Sequence, residues 1–204
     1  GDDAAHYGIP LLGGDTVKTP GPLTISITAL GSVPRGRMAR RTGARAGDRI
    51  YVTGTIGDAA LGLKLRLGET PPGISGGARD FLAGRYLEPA PRLELRRVWR
   101  DFANGAMDVS DGLVGDLTKM LKASGVSGRV RLGLAPLSDA AQELVRAQPS
   151  LFDVAMTGGD DYELLATVAP DRASAFETAA RAAGSPVTCI GEVISGQGAP
   201  EFFD

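Results

Sequence analysis

A repeated order of short apolar strand, glycine-containing turn and helix constrains the fold of this chain most strongly. The apolar run at residues 50–53 is followed by Gly54 and Gly57 and then by a helical pattern over 58–67. The same order recurs where residues 106–109 precede a helical pattern over 112–124. Strands and helices that alternate in this way predict an α+β or mixed α/β fold, although they leave the order of the strands open.

The N-terminal part of the chain shows a different pattern. A helix over residues 2–7 is expected to stop at Gly8, and two strands are predicted at 9–12 and 23–33. The second of these, LTISITALGSV, alternates apolar and polar residues with a period of two. This segment is too short to bury a sheet of its own. We therefore predict a boundary near Ala46, with the preceding strands requiring a partner.

The remaining elements follow from the same reasoning. Helices are predicted at residues 78–86, 91–101, 139–147 and 172–183, and strands at 162–169 and 187–194. Trp99 is expected to be a core or interface anchor on its helix.

Composition excludes several functional classes. The 204 residues carry 22 Lys and Arg against 24 Asp and Glu, a net charge of −2 that argues against nucleic-acid and membrane-surface binding. The single cysteine, Cys189, excludes an intrachain disulfide and a cysteine-rich zinc site, and the single histidine, His6, leaves little room for a Ser-His-Asp triad. With no apolar run of membrane-spanning length, the sequence predicts a cytoplasmic protein that uses carboxylates, arginines and glycine-rich backbone.

The first of three acidic turns flanked by glycine is Gly13-Gly14-Asp15-Thr16. Glycine lets backbone N–H groups approach a phosphate, and the Asp15 carboxylate could hold a divalent cation. An ordinary turn at the end of a strand explains the same residues, and from this motif alone it is the favoured interpretation.

The second turn is Asp108-Val109-Ser110-Asp111-Gly112, which ends a strand and opens a helix. Ser110 or Asp111 could simply cap that helix. However, Asp108 and Asp111 crowd together with Asp116, and carboxylates at a helix N-terminus are typical of a magnesium-nucleotide site. The two interpretations are about equally supported.

The third turn is Gly158-Gly159-Asp160-Asp161-Tyr162-Glu163, and it could hold a substrate or a second ion. This motif alone, however, favours an ordinary acidic turn.

An arginine-rich loop at residues 35–49 could contact nucleic acid, but it contains no aromatic residue that could stack a base. An arginine that contacts a phosphate group is therefore the better interpretation of this loop. Residues 53–58, TGTIGD, form a glycine-rich turn that could cradle phosphate, although they lack the ending of a Walker A loop.

The order of these motifs resembles the thiamine-monophosphate kinase family. The motifs are GGDT, VPRGRMARRTGARAGD, YVTGTIGDAALGL, YLEPAPRL, DVSDGL and TGGDDYELL, and together they cover most of the chain. The resemblance implies the aminoimidazole-ribonucleotide-synthetase-like fold. Residues 1–45 would then be the remnant of an N-terminal dimerisation and ATP-binding sheet domain, and 46–204 the C-terminal α/β domain. It also implies a homodimer that transfers the γ-phosphoryl group of ATP to thiamine phosphate with the help of Mg2+.

Site residues follow from the resemblance position by position. Asp15 would bind Mg2+ with Gly14 beside it against ATP, and Arg41 would contact an ATP phosphate.

Within the second turn, the resemblance implies that Asp108 and Asp111 are Mg2+ ligands and that Ser110 contacts ATP. Asp160 would face thiamine phosphate, at a position where the family often has Glu. Two other hypotheses stay open: an ATP-dependent relative that acts on another small molecule, and a nucleotide-binding fragment without catalytic activity.

Overall fold

The computed structural model describes all 204 residues and divides them into two units, Gly1–Gly36 and Arg37–Asp204. The first unit contains one regular element, helix α1 (Asp2–Tyr7). Gly8 ends this helix in the left-handed conformation, with φ of 63°, and its N–H donates to carbonyls of the last turn. The predicted helix and its stop are therefore confirmed.

The two strands predicted at 9–12 and 23–33 are wrong. Neither segment has regular structure, and their apolar side chains are exposed, with Leu11 and Ile27 each at 88%. An alternating pattern forms a strand only where another strand pairs with its backbone and an apolar layer covers one face. The first unit offers neither.

The second unit contains seven helices and six strands. The helices are α2 (Asp58–Arg66), α3 (Gly76–Leu87), α4 (Arg96–Phe102), α5 (Leu113–Ser124), α6 (Asp139–Ala147), α7 (Leu151–Thr157) and α8 (Ala173–Ala182). The strands are β1 (Arg49–Thr53), β2 (Gly105–Val109), β3 (Ser127–Arg131), β4 (Glu163–Val168), β5 (Val187–Ile194) and β6 (Glu201–Phe203).

All six strands join one sheet in the order β2-β4-β1-β5-β3-β6. Neighbouring strands are antiparallel except for β3 and β6, which are parallel. This order places β2 and β4 side by side at one edge, so the turns that follow β2 and precede β4 lie next to each other.

Helices cover both faces of the sheet. On one face, Ile50 and Val52 of β1 belong to the core that α2, α3, α5, α6 and α7 complete. On the other face, Tyr51 packs edge to face against Phe176 of α8, with 69° between the ring planes, and Phe176 also contacts Trp99 of α4. Strand β1 is therefore apolar on both faces, and Trp99 is a core residue as expected.

The mixed α+β fold class is confirmed, and most predicted elements after residue 49 are present within a few residues. Three elements were not predicted: β3, α7 and β6. Strand β3 (SGRVR) carries two arginines and buries a single large apolar side chain, Val130, so its pattern is weak. None of the helices has the length and apolarity needed to cross a bilayer.

Candidate functional site

Strands β2 and β4 bring two of the three acidic turns together. Their antiparallel pairing aligns Asp108 with Leu164 and Val109 with Glu163. The ladder continues past the strand ends, because the Tyr162 N–H donates to the Val109 carbonyl at 2.8 Å and the Asp160 N–H donates to the Ser110 carbonyl at 2.9 Å. Segments 108–112 and 158–163 are thereby joined by backbone hydrogen bonds.

Glycine permits this close approach. A Cβ on Gly159 would lie 2.3 Å from the Ser110 carbonyl oxygen, and one on Gly112, whose φ is 115°, would lie 2.5 Å from the Thr157 carbonyl oxygen. Asp160 and Tyr162 have φ of 71° and 51°, in the left-handed region that non-glycine residues rarely adopt. The hydrogen bonds to segment 108–112 hold these two residues in that conformation.

The joined turns present three carboxylates together, and we call Asp108, Asp111 and Asp160, with the Tyr162 hydroxyl, the acidic surface. Asp108 and Asp111 are exposed and Asp160 is half-buried. The Tyr162 hydroxyl donates to Asp160 Oδ1 at 3.4 Å. Partial burial raises the pKa of this hydroxyl, and the charges of Asp160, Asp108 and Asp111 raise it further, so all three carboxylates act on one point.

Two cations border the acidic surface. The Lys119 ammonium donates to Asp111 Oδ2 at 2.5 Å and lowers the pKa of that carboxyl, and the charge of Arg41 lowers it as well. The structure therefore brings Arg41, whose carbonyl accepts from the Ser124 hydroxyl, close enough to act on Asp111.

Asp116 has a different role from the exposed carboxylates. It is 1% exposed, and its Oδ2 accepts the backbone N–H groups of Ser110 at 2.9 Å and Asp111 at 2.8 Å. Neither Ser110 nor Asp111 caps helix α5, whose N-cap is Gly112 without a side-chain bond. The capping interpretation is therefore wrong, and a carboxylate from inside the helix fixes the turn instead.

A second group of acids lies inside the molecule, and sequence reasoning missed it. We call Asp58, Asp161 and Glu163 the buried acid cluster, since each is at most 1% exposed. Asp161 accepts the N–H groups of Gly57 at 2.7 Å and Ala59 at 3.2 Å, at the start of helix α2. These N–H groups are therefore not free to cradle a phosphate, as segment 53–58 had suggested.

Burial raises the pKa of two members of this cluster. It raises the pKa of Asp161 to about 7, even though the two backbone hydrogen bonds oppose that shift. Burial also raises the pKa of Asp58, which accepts the hydroxyl hydrogens of Ser138 and Thr55.

Glu163 is the most heavily bonded member of the buried acid cluster. It accepts two hydrogen bonds from the Arg92 guanidinium, at 2.8 and 2.5 Å, and one from Arg85 at 3.1 Å. The Thr53 hydroxyl donates a fourth at 2.6 Å. These contacts tie the start of β4 to β1, to α3 and to the segment before α4.

Gly14 and Asp15 lie in the first unit, where both are exposed. Asp15 Oδ1 accepts the N–H of Thr16 at 2.7 Å, which is a local turn contact. The structure thus gathers four of the predicted site residues, Asp108, Ser110, Asp111 and Asp160, together with Arg41 nearby.

The acidic surface suits a cation shared with a ligand better than a site closed by protein. No three Asp, Glu, His or Cys side chains converge closely enough to hold a metal ion. Mg2+ is commonly bound through one or two carboxylates and completed by phosphate oxygens and water, and Asp108 and Asp111 provide that donor type. Asp111 already pairs with one cation, the Lys119 ammonium.

Comparison with known proteins identifies relatives of this chain. Residues 45–201 match the family model described as AIR synthase related protein, C-terminal domain. A thiamine-monophosphate kinase from Caulobacter vibrioides is 44% identical over 205 residues, covering 99% of this chain and 57% of that protein. The counterpart from Escherichia coli is 43% identical over 188 residues, covering 92% of this chain and 57% of that protein.

Solved structures give the same result. The thiamine-monophosphate kinase from Stenotrophomonas maltophilia K279a aligns with a TM-score of 0.75 and 38% identity, covering 83% of this chain and 54% of that one. AaThiL complexed with AMPPCP and TMP aligns with a TM-score of 0.68 and 33% identity, covering 80% of this chain and 50% of that one.

The resemblance to thiamine-monophosphate kinases is therefore confirmed, and the chain spans 57% of the length of the first two relatives. Because the matched region contains strands β1 to β5 and both joined turns, the chain belongs to the AIR synthase related protein family through that family's C-terminal domain.

Proposed function

We propose that this protein takes part in ATP-dependent phosphorylation of thiamine phosphate to thiamine diphosphate. The observation that carries the proposal is the joining of two acidic turns into one acidic surface, in a chain 44% identical to a thiamine-monophosphate kinase. A related structure is named for its complex with AMPPCP, an ATP analogue, and TMP, which we take to be thiamine phosphate.

The acidic surface suits this reaction because phosphoryl transfer depends on positioning and charge neutralisation more than on a nucleophilic side chain. In the proposed arrangement Asp108 and Asp111 hold Mg2+, which neutralises charge on the phosphates when bound. The Ser110 hydroxyl and the Arg41 guanidinium bind ATP phosphate oxygens. Asp160, held in a left-handed conformation by Ser110, contacts thiamine phosphate.

The proposal extends to the first unit. Residues 1–45 would belong to an N-terminal dimerisation and ATP-binding domain, in which Asp15 binds Mg2+ and Gly14 lies against ATP. Support comes from the exposed apolar residues of segment 23–33, including Leu23 at 87% and Ile25 at 77%, which suit a strand completed by a second copy. We accordingly propose a homodimer, acting in the cytoplasm where ATP is available.

Magnesium-dependent release of ADP from ATP, with and without thiamine phosphate, tests the reaction. We expect release that requires both thiamine phosphate and Mg2+. ADP release that is indifferent to thiamine phosphate would favour a relative acting on another small molecule. ATP binding without release, in a folded sample, would indicate a nucleotide-binding fragment. If no ADP is released, the same assay is repeated on the chain joined to the N-terminal region of the Caulobacter relative. Release by the fusion alone would show that the reaction needs that region, and no release by either protein would show that the substrate is wrong.

A further inference from the structure

The Lys119 side chain is bonded both to the acidic surface, through Asp111, and to the buried Asp116 beneath it. Its ammonium lies 2.5 Å from Asp111 Oδ2 and 3.0 Å from Asp116 Oδ1. The Asp111 side chain is 70% exposed, whereas the Asp116 side chain is 1% exposed. Lys119 therefore joins a carboxylate that faces solvent to one that cannot move.

Asp116 makes this contact different from an ordinary surface ion pair. Two backbone N–H groups, of Ser110 and Asp111, hold its other oxygen. Because Asp116 is held in this way, its ion pair anchors Lys119, which lies three residues later in helix α5. Lys119 then places its positive charge beside Asp111. An isolated surface pair lacks such an anchor and fixes neither partner.

We propose that Lys119 is a built-in counter-cation of Asp111 that makes binding of a divalent cation depend on the nucleotide. This inference rests on the proposed function. A metal ion that binds without a nucleotide must displace the Lys119 ammonium from the Asp111 carboxylate. It then lies beside the positive charge of Lys119, so its affinity is lowered. A metal ion that arrives with a polyphosphate brings negative charge, which Lys119 attracts. Lys119 is therefore a positioning residue that opposes the free metal and favours the metal–nucleotide complex.

The test measures binding of Mn2+, a spectroscopic substitute for Mg2+: for Mn2+ alone from the signal of free Mn2+ in electron paramagnetic resonance, and for Mn2+–ATP by titration calorimetry. K119M should bind Mn2+ alone roughly fivefold more tightly than the wild type. The same variant should bind Mn2+–ATP more weakly by a similar factor. The matched control is K122M, which removes an exposed lysine of the same helix that makes no ion pair, and should leave both affinities unchanged. Opposite changes with and without ATP are not expected of a residue that only stabilises the helix.

A double-mutant cycle identifies the partner. In a D111N background, K119M should change the affinity for Mn2+ alone much less than in the wild type, because the carboxylate for which metal and lysine compete has been removed and only the charge of Lys119 remains. Equal Mn2+ affinity of the wild type and K119M would overturn the role of Lys119 and leave the proposed metal site standing. Absence of Mn2+ binding by every form, with or without ATP, would overturn both. K119M is expected to fold, because Asp116 keeps its two backbone hydrogen bonds.

Discussion

Segment 158–163 contributes to both the acidic surface and the buried acid cluster, and the two groups have opposite surroundings. Asp160 is half-buried beside two exposed carboxylates, whereas Asp161, the next residue, is buried against the start of helix α2. Asp160 makes one long side-chain contact, and Glu163 accepts four hydrogen bonds. The comparison shows that acids of one motif divide into those available to a ligand and those that hold the motif in place.

Replacing a buried acid should cause the largest change in stability. Glu163→Gln removes the charge that Arg92 and Arg85 share and leaves both guanidinium groups poorly paired. We expect the free energy of unfolding to fall by about 3–5 kcal/mol, as when one partner of a buried ion pair is removed.

Urea denaturation measures this loss, and Glu201→Gln is the matched control. Glu201 pairs with Arg129 at 3.2 Å on the surface, with both side chains more than half exposed, so its replacement should cost about 0–1 kcal/mol. Equal losses for the two variants would show that burial does not separate the two groups of acids.

Separating the two turns should have an intermediate effect. Gly159→Ala places a methyl group 2.3 Å from the Ser110 carbonyl oxygen, so the backbone hydrogen bond from Asp160 must lengthen or break. We expect a loss of about 1–3 kcal/mol together with weaker nucleotide binding.

Calorimetric binding of Mg2+–ATP and thermal unfolding together check this expectation. The control is Gly84→Ala, at an exposed position of helix α3 where a Cβ meets nothing within 4 Å. That variant should gain up to about 1 kcal/mol from its higher helix propensity. A Gly159→Ala protein as stable as the wild type, with unchanged binding, would mean that the turns do not need this contact.

The third expected effect depends on pH. Because Asp161 has a pKa of about 7 in the folded protein and an ordinary, lower value when unfolded, the folded state binds its proton more tightly. Below about pH 4 the Asp161 carboxyl is protonated in both states and does not lower the free energy of unfolding. As the pH rises towards 7, Asp161 lowers the free energy of unfolding progressively. Asp161→Asn loses a hydrogen-bond acceptor, but its stability relative to the wild type should improve steadily over that range.

Unfolding by urea at several pH values between 4 and 8 measures this difference. The control, measured alongside, is Asp153→Asn, which removes the carboxyl group of an exposed residue. A pH-independent difference between Asp161→Asn and the wild type would mean that the Asp161 carboxyl stays ionised inside the protein.

Periodicity predicted the strands and helices that bury apolar faces, and it failed where burial depends on a partner. Segment 23–33 alternates as clearly as any strand of the chain, yet the apolar row that includes Ile25 and Ile27 is exposed in the first unit. A pattern records which side chains could be buried and does not supply the strand that buries them.

The exposed half of the candidate site was predictable and the buried half was not. Asp108, Ser110, Asp111 and Asp160 were all singled out from glycine-flanked turns. The buried acid cluster lies in the same motifs, and one signal could have revealed it. Glu163 shares the period-two register of Leu165, so it was bound to face the core. Its partners, Arg85 and Arg92, lie more than 70 residues earlier, and only the fold brings them there.

Comparing the stability and the turnover of Asp111→Asn tests the proposed role of the acidic surface in the reaction. The Asp111 side chain is exposed and bonds to Lys119, and the substitution keeps the backbone hydrogen bond to Asp116, so we expect the free energy of unfolding to stay within about 0.5 kcal/mol of the wild type. ADP release that depends on thiamine phosphate should be abolished, measured in this chain or in its fusion with the N-terminal region of the Caulobacter relative. A folded Asp111→Asn protein that turns over at the wild-type rate would contradict the claim that the acidic surface carries the reaction.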